Sequence, residues 1–343
     1  MTGTVRDFRL TRALRHRNYR LFFSGQSVSL VGTWITRVAT SWLVYRLTGS
    51  ELLLGVVGFC GQIPTLLLGP FAGVVVDRGN RHRILIWTQW ASLFQSVALA
   101  ALTLTDYITV GQIIALQLFQ GVINAFDTPA RQALVVDMVE DRADLSNAIA
   151  LNSSMVNGSR IIGPSIGGII IAAVGEGWCF ALDAVSYGAV LVSLSLMRIT
   201  PRPRATEGIP MLDDLRLGWQ YVLGSRPIRS GLILLAIVST AGVPYSVLMP
   251  AGAAETLGGG PNTLGILMGA TGVGALLGGM YLASRETVVG LGRVILVGTL
   301  LFGTSLMAFS FTRTLWLAVI TLAAAGAGFI VQMASTNTII QTI

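Results

Sequence analysis

Residues 52–104 read LLLGVVGFCGQIPTLLLGPFAGVVV, then DRGNRHR, then ILIWTQWASLFQSVALAALTL. Two apolar runs, of 25 and 21 residues, flank a charged knot at Asp77–Arg83. A helix crossing the hydrocarbon core of a bilayer takes about 20 predominantly apolar residues, and only a helix or a closed barrel satisfies its own backbone there. Each run is long enough for one crossing, and the seven residues between them do little more than turn the chain round.

Working outward, the same reading gives ten spans, near 20–45, 52–76, 84–104, 108–126, 148–174, 178–197, 230–254, 263–283, 292–311 and 315–340. The long polar intervals are 1–19, 127–147 and 198–229. Composition agrees: 53% of residues are hydrophobic and 11% charged, against about a quarter charged in a soluble domain. That excludes intrinsic disorder and argues against a soluble enzyme. All 23 basic residues are Arg. Without Lys there is neither a P-loop nor a Schiff-base chemistry. Cys60 and Cys179 sit apart in apolar runs, so no disulfide framework, metal site or cofactor is implied. His16 and His82, in Arg-rich segments, are expected to be solvated.

The arginines fall on one side. If the N-terminus is cytoplasmic, 19 of the 23 lie at the cytoplasmic ends of the spans. Only Arg46 and Arg313 lie at the other end, while Arg37 and Arg160 lie within spans. That asymmetry satisfies the positive-inside rule. The net charge of +7 and the pI near 10.1 therefore report membrane orientation and not nucleic-acid binding. Residues 201–210, PRPRATEGIP, read as a linker. After Pro210, Leu212, Leu215, Trp219 and Val222 form an apolar helical stripe that would lie on the membrane surface. The expected layout is a basic N-terminus (1–19), a six-helix bundle (20–197), a cytoplasmic linker (198–229) and a second bundle (230–343).

Gly73-Val-Val-Val-Asp77-Arg78-Gly79-Asn80-Arg81-His82-Arg83 resembles the G-x-x-x-D-R-x-G-R-R signature of the major facilitator superfamily, at the same place between spans 2 and 3. Gly163-Pro164-Ser165-Ile166-Gly167-Gly168 matches the core of that superfamily's antiporter signature, with Ser159 at the leading glycine. Residues 17–34 and 127–152 are similar to the branch containing the enterobactin exporter and multidrug efflux permeases. The resemblance implies an all-α integral membrane protein with two pseudo-symmetric six-helix bundles. About 10 of the 12 helices are present, and two more would follow Ile343. It also implies a cytoplasmic latch built from Asp77, Arg78, Arg81 and an acid at the end of span 4, matched here to Asp127. Gly73 would let a neighbouring helix approach closely. Spans 5 and 8 would meet between the halves, and Gly265, Gly269, Gly274 and Gly278 of span 8 suit such packing. Pro164 would break span 5 locally. One departure concerns coupling: Gln120-Gly121 is present, but the arginine implicated in proton transfer is replaced by Leu116.

Polar residues inside spans are costly and mark function by default. Gln26, Ser29, Thr33, Arg37 and Thr40 share one face of span 1; Gln117, Gln120 and Asn124 do so in span 4, and Ser153, Asn157 and Arg160 in span 5. These stripes are read as lining a substrate cavity, with interhelical hydrogen bonding as the competing reading. Arg37 needs an anion, and Asp183 is expected to approach it in one conformational state. The chain thus reads as a monomeric secondary transporter of the bacterial inner membrane. It would export amphipathic small molecules, drug- or siderophore-like, against an ion gradient, with the proton as the expected ion. Uptake by the same fold, or a non-transporting membrane sensor or scaffold, are the alternatives.

Overall fold

Helix boundaries fall where side chains can serve unpaired backbone donors. Ser50 Oγ accepts from Leu53 N–H, Asn80 Oδ1 from Arg83 N–H, and Thr109 and Gln112 cap each other reciprocally. Gly49, with φ at 57°, supplies the left-handed residue that ends the first long helix.

The computed structural model describes residues 9–139, 142–199, 220, 222–242, 244–285 and 290–342. A short 3-10 helix, Arg9–Arg15, precedes α1 (Arg17–Thr48), α2 (Glu51–Arg78), α3 (Arg81–Leu104), α4 (Val110–Met138), α5 (Arg142–Val174) and α6 (Glu176–Ser195). Then come α7 (Arg226–Ile237), α8 (Tyr245–Ala251), α9 (Pro261–Ala283), α10 (Leu291–Ser310) and α11 (Leu315–Thr342). Of the surface helix expected after Pro210, residues 211–219 and 221 lie outside the described residues.

Eight segments are long and apolar enough to cross a membrane by length and composition. One of them, Ile228–Thr256, is interrupted by π-helical turns at Val238–Gly242 and Gly252–Thr256. Pro244 and Pro250 contribute no N–H to the ladder there, which weakens a regular α-helix through this segment. α1 and α4 are as long, at 32 and 29 residues, but are not among the eight. Polar residues interrupt both: Gln26, Ser29 and Thr40 are buried on α1, and Asp127 on α4.

The outward faces are apolar, and polar side chains are buried within. Leu52, Leu66, Trp87 and Phe94 are two-thirds or more exposed, at 77, 73, 73 and 67%, while Gln26, Gln89, Ser92, Gln95 and Ser96 are buried. Such an arrangement suits lipid, where an outward leucine costs nothing and an outward amide does.

α1 packs on α5 and α6, α2 on α4, α3 on α4 and α6, and α9 on both α5 and α11. The helices alternate in direction, so one end of the molecule gathers the arginine-rich turns; we call it the basic end. At the opposite, far end, a single apolar core joins the two halves: Leu43, Val44, Leu54 and Val57 pack with Met249, Ala253 and Leu264. At the basic end the corresponding core, with Tyr19, Phe22, Leu85, Met138 and Leu194, takes all its described members from the first half. Among the described residues the halves thus share an apolar core at the far end and none at the basic end.

Candidate functional site

Arg81, at the first position of α3, joins two helix ends. Its Nη1 donates to Asp137 Oδ2 (3.1 Å) and to the Ala133 carbonyl (3.2 Å) on α4, and its Nη2 reaches Asp77 Oδ1 (3.5 Å) on α2. This is the expected arginine cluster with a different second acid. Asp127 lies well inside α4, buried, accepting from Thr88 Oγ1 (2.9 Å) and Gln89 Nε2 (2.7 Å) and pairing with Arg131 (3.5 Å). The expectation misplaced the acid because span 4 does not stop near residue 126. α4 runs through Pro129 to Met138, so the acid at its end is Asp137, almost three turns further on. Arg78 also has a partner. Gly73 differs from its expected role: a Cβ there would meet no atom within 4 Å, although Ala72 and Val76 beside it on α2 are buried.

Neither histidine is simply solvated. His16 lies 3.2 Å from Asp144, which also pairs with Arg12, and His82 Nε2 lies 2.9 Å from the Leu194 carbonyl.

Pro164 does not break α5, which runs unbroken from Arg142 to Val174. Its neighbours set close approaches on two sides. Gly163 faces Trp34, and Gly167 faces Ile35 and Val38 of α1. Gly168 faces Gly265, whose own missing Cβ would fall 2.7 Å from the Pro164 carbonyl. The glycines of α9 divide between two partners: Gly265 and Gly269 meet α5, whereas Gly274 and Gly278 meet Ala323 and Ala327 of α11.

The polar stripes converge inside the first half. Thr33 Oγ1 lies 3.3 Å from the Tyr187 hydroxyl, and Gln120 Nε2 donates to Asn124 Oδ1 (3.1 Å) and approaches Ser92 Oγ (3.5 Å). Gln26 is fully packed, Gln117 half-buried, and Asn157 donates to the Ser153 carbonyl one turn back. Asp183, 1% exposed, accepts from Thr36 (2.8 Å) and Ser96 (3.0 Å) and lies 3.3 Å from Ser186 Oγ. Arg37 does not pair with it in this conformation; its guanidinium carbon sits 4.5 Å from the Trp34 ring centre, with that of Arg160 at 5.2 Å. The sequence reading missed the stripe Thr88, Ser92, Gln95 and Ser96 on α3. Its three- and four-residue spacing was a usable signal. It also missed Tyr187 and Ser186 on α6.

At the far end a polar contact also ties the halves: Tyr45 Oη donates to Glu255 Oε1 (2.8 Å). Within the first half, Arg46 grips Glu176 at 2.8 and 3.2 Å.

The family model described as transmembrane secretion effector matches residues 11–343. A staphyloferrin A transporter of Staphylococcus aureus is 28% identical over 295 residues, covering 84% of this chain and 72% of its own. Macrolide efflux protein A of Streptococcus pyogenes is 24% identical over 280 residues (78% and 67%), and an enterobactin exporter of Shigella boydii 27% over 269 residues (77% and 63%). Among solved structures, a bacterial homologue of the iron transporter ferroportin in its inward-facing state aligns with a TM-score of 0.69 at 14% identity, over 95% of this chain and 84% of that one. An inward-facing bacterial homologue of the human lysosomal transporter Spinster aligns at 0.67 and 15%, over 94% and 75%. A polar-cored bundle of membrane helices, α5 seated on α9 through facing glycines, and a match along nearly the whole length lead to one assignment. The chain is a multi-pass membrane transporter of the major facilitator superfamily and belongs to its transmembrane secretion effector family.

Proposed function

We propose that this chain exports small amphipathic molecules, drug- or siderophore-like, by alternating access powered by an ion gradient, with the proton as the driving ion. The observation that carries the proposal is the asymmetry between the ends: one apolar core joins the halves at the far end, and none of its kind joins them at the basic end among the described residues. With the basic end cytoplasmic, as the arginine distribution favours, this is a state open to the cell interior and ready to load. The named activities of the relatives agree in kind: siderophore transport and macrolide efflux.

In this reading Asp77, Arg78 and Arg81 with Asp137 form the cytoplasmic latch, and Tyr45–Glu255 forms the opposing external one. Thr33, Gln120 and Asn124 border the transport path, and the protein works as a monomer in the inner membrane. Asp183, a buried carboxylate held by hydroxyls, is the proton carrier in place of the arginine route lost at Leu116.

The test is efflux of a labelled panel of amphipathic compounds from cells expressing the protein, with and without a protonophore. Wild type should lower accumulation of at least one compound, and collapse of the pH gradient should abolish the difference. Asp183→Asn should behave like the collapsed state. Accumulation unchanged by expression across the panel would reject export, and export indifferent to the protonophore would reject proton coupling.

A further inference from the structure

Two arginines stand within the membrane-spanning lengths of their helices without an acid beside them. Arg37 lies two-thirds of the way along α1 and Arg160 midway along α5. Both guanidinium groups are drawn to a single indole, that of Trp34, at 4.5 and 5.2 Å from its centre. Among the described residues neither arginine forms an ion pair, and the Arg160 Nε is buried without a hydrogen-bond partner. The acid expected to face Arg37 is committed elsewhere, its oxygens satisfied by Thr36, Ser96 and Ser186.

The position of the cluster matters as much as its charge. The backbone of Arg160 abuts Gly272 of α9, and Tyr245 of α8 lies within electrostatic reach of its side chain, so the second half closes over one flank. Arg37 is exposed, although it sits within the span. A guanidinium keeps its charge at any physiological pH. Attraction to an aromatic face offsets only part of the cost of holding a cation inside a bilayer, and two neighbouring cations also repel. The arrangement is short of one negative group, and Arg37 is its exposed member.

We propose that Arg37 and Arg160 form a binding site for an anionic, oxygen-bearing group, carboxylate or phosphate, on a small molecule whose apolar body rests against Trp34 and Tyr245. A planar guanidinium fork matches either group in a bidentate manner, and two forks distinguish a charged acid from its ester. That this molecule is the transported one rests on the export reading above; that the site binds anions does not.

The purified full chain in phosphatidylcholine nanodiscs, titrated with 1-naphthoate and with its methyl ester, tests the site directly. Naphthoate should bind at least about tenfold more tightly than the ester, the loss anticipated when a charged hydrogen-bond pair is removed. Arg37→Gln and Arg160→Gln should each weaken naphthoate by about tenfold or more, with Arg→Lys at either position recovering part of the loss. Equal affinity for acid and ester, or full naphthoate affinity in the double Gln variant, would overturn the proposal. Should the Gln variants not fold, the acid–ester comparison on wild type decides alone. Phosphatidylglycerol in the nanodiscs separates the sources: displacement of naphthoate assigns the anion to a lipid headgroup, and undisturbed binding assigns it to a soluble acid. Arginine-dependent binding without efflux in cells would leave the anion site standing and remove only the export reading.

Discussion

At the scale of single residues, Arg81 divides its attention unequally. Asp77 is 73% exposed, so its pair with Arg81 contributes roughly 0–1 kcal/mol. Asp137 is 19% exposed and shares the arginine nitrogen with a helix carbonyl, which favours a stronger and more persistent contact. Asp137→Asn should therefore lower the thermal unfolding temperature in detergent more than Asp77→Asn does. The reverse order would show that the α2 acid holds Arg81 more firmly. Asp183 separates chemistry from structure in a similar way. Thr36, Ser96 and Ser186 carry rotatable hydroxyls, so Asp183→Asn can be accommodated by turning them. Asp183→Leu strands buried hydroxyls, at about 1–3 kcal/mol for each one left unsatisfied. Thermal unfolding of the two variants should place Asn near wild type and Leu clearly below it.

At the scale of helices, packing through glycine makes sharp demands. Gly265→Val pushes a side chain into the Pro164 carbonyl and should destabilise by about 1–3 kcal/mol, as overpacking does. Gly73→Ala, which enters open space inside α2, should leave stability unchanged or raise it by up to about 1 kcal/mol. A common melting temperature for the two would contradict the geometry. The same scale shows how far the sequence could be read. Apolar runs located the helices because a bilayer imposes their length, and the arginines sorted their ends. The polar interval 127–147 hid the end of α4: packed against α2 and α3, the helix runs through Pro129 to Met138, so Asp127 was taken for the end of span 4 when Asp137 holds that place. The Trp34 contacts of Arg37 and Arg160 join helices distant in sequence, and no periodicity within one helix announces which aromatic ring two arginines will share.

At the scale of the whole molecule, the closed far end offers a mechanical test. A Cβ at position 58 would lie 3.9 Å from that of Val247 in the other half, within the range a disulfide spans. In a background with Cys60 and Cys179 replaced, Gly58→Cys with Val247→Cys should cross-link under mild oxidation, stop efflux, and recover on reduction. Efflux unimpeded by a complete cross-link would mean that the far end need not part. The divided glycines of α9 bear on the same motion. A helix that offers bare backbone to α5 on one side and to α11 on the other sits at backbone contact with both, while Leu264 and Leu267 project from it into the core. The α5 contact lies between the halves and the α11 contact within the second half, so a tilt of one half against the other works at the α5–α9 seam while α9 and α11 travel together.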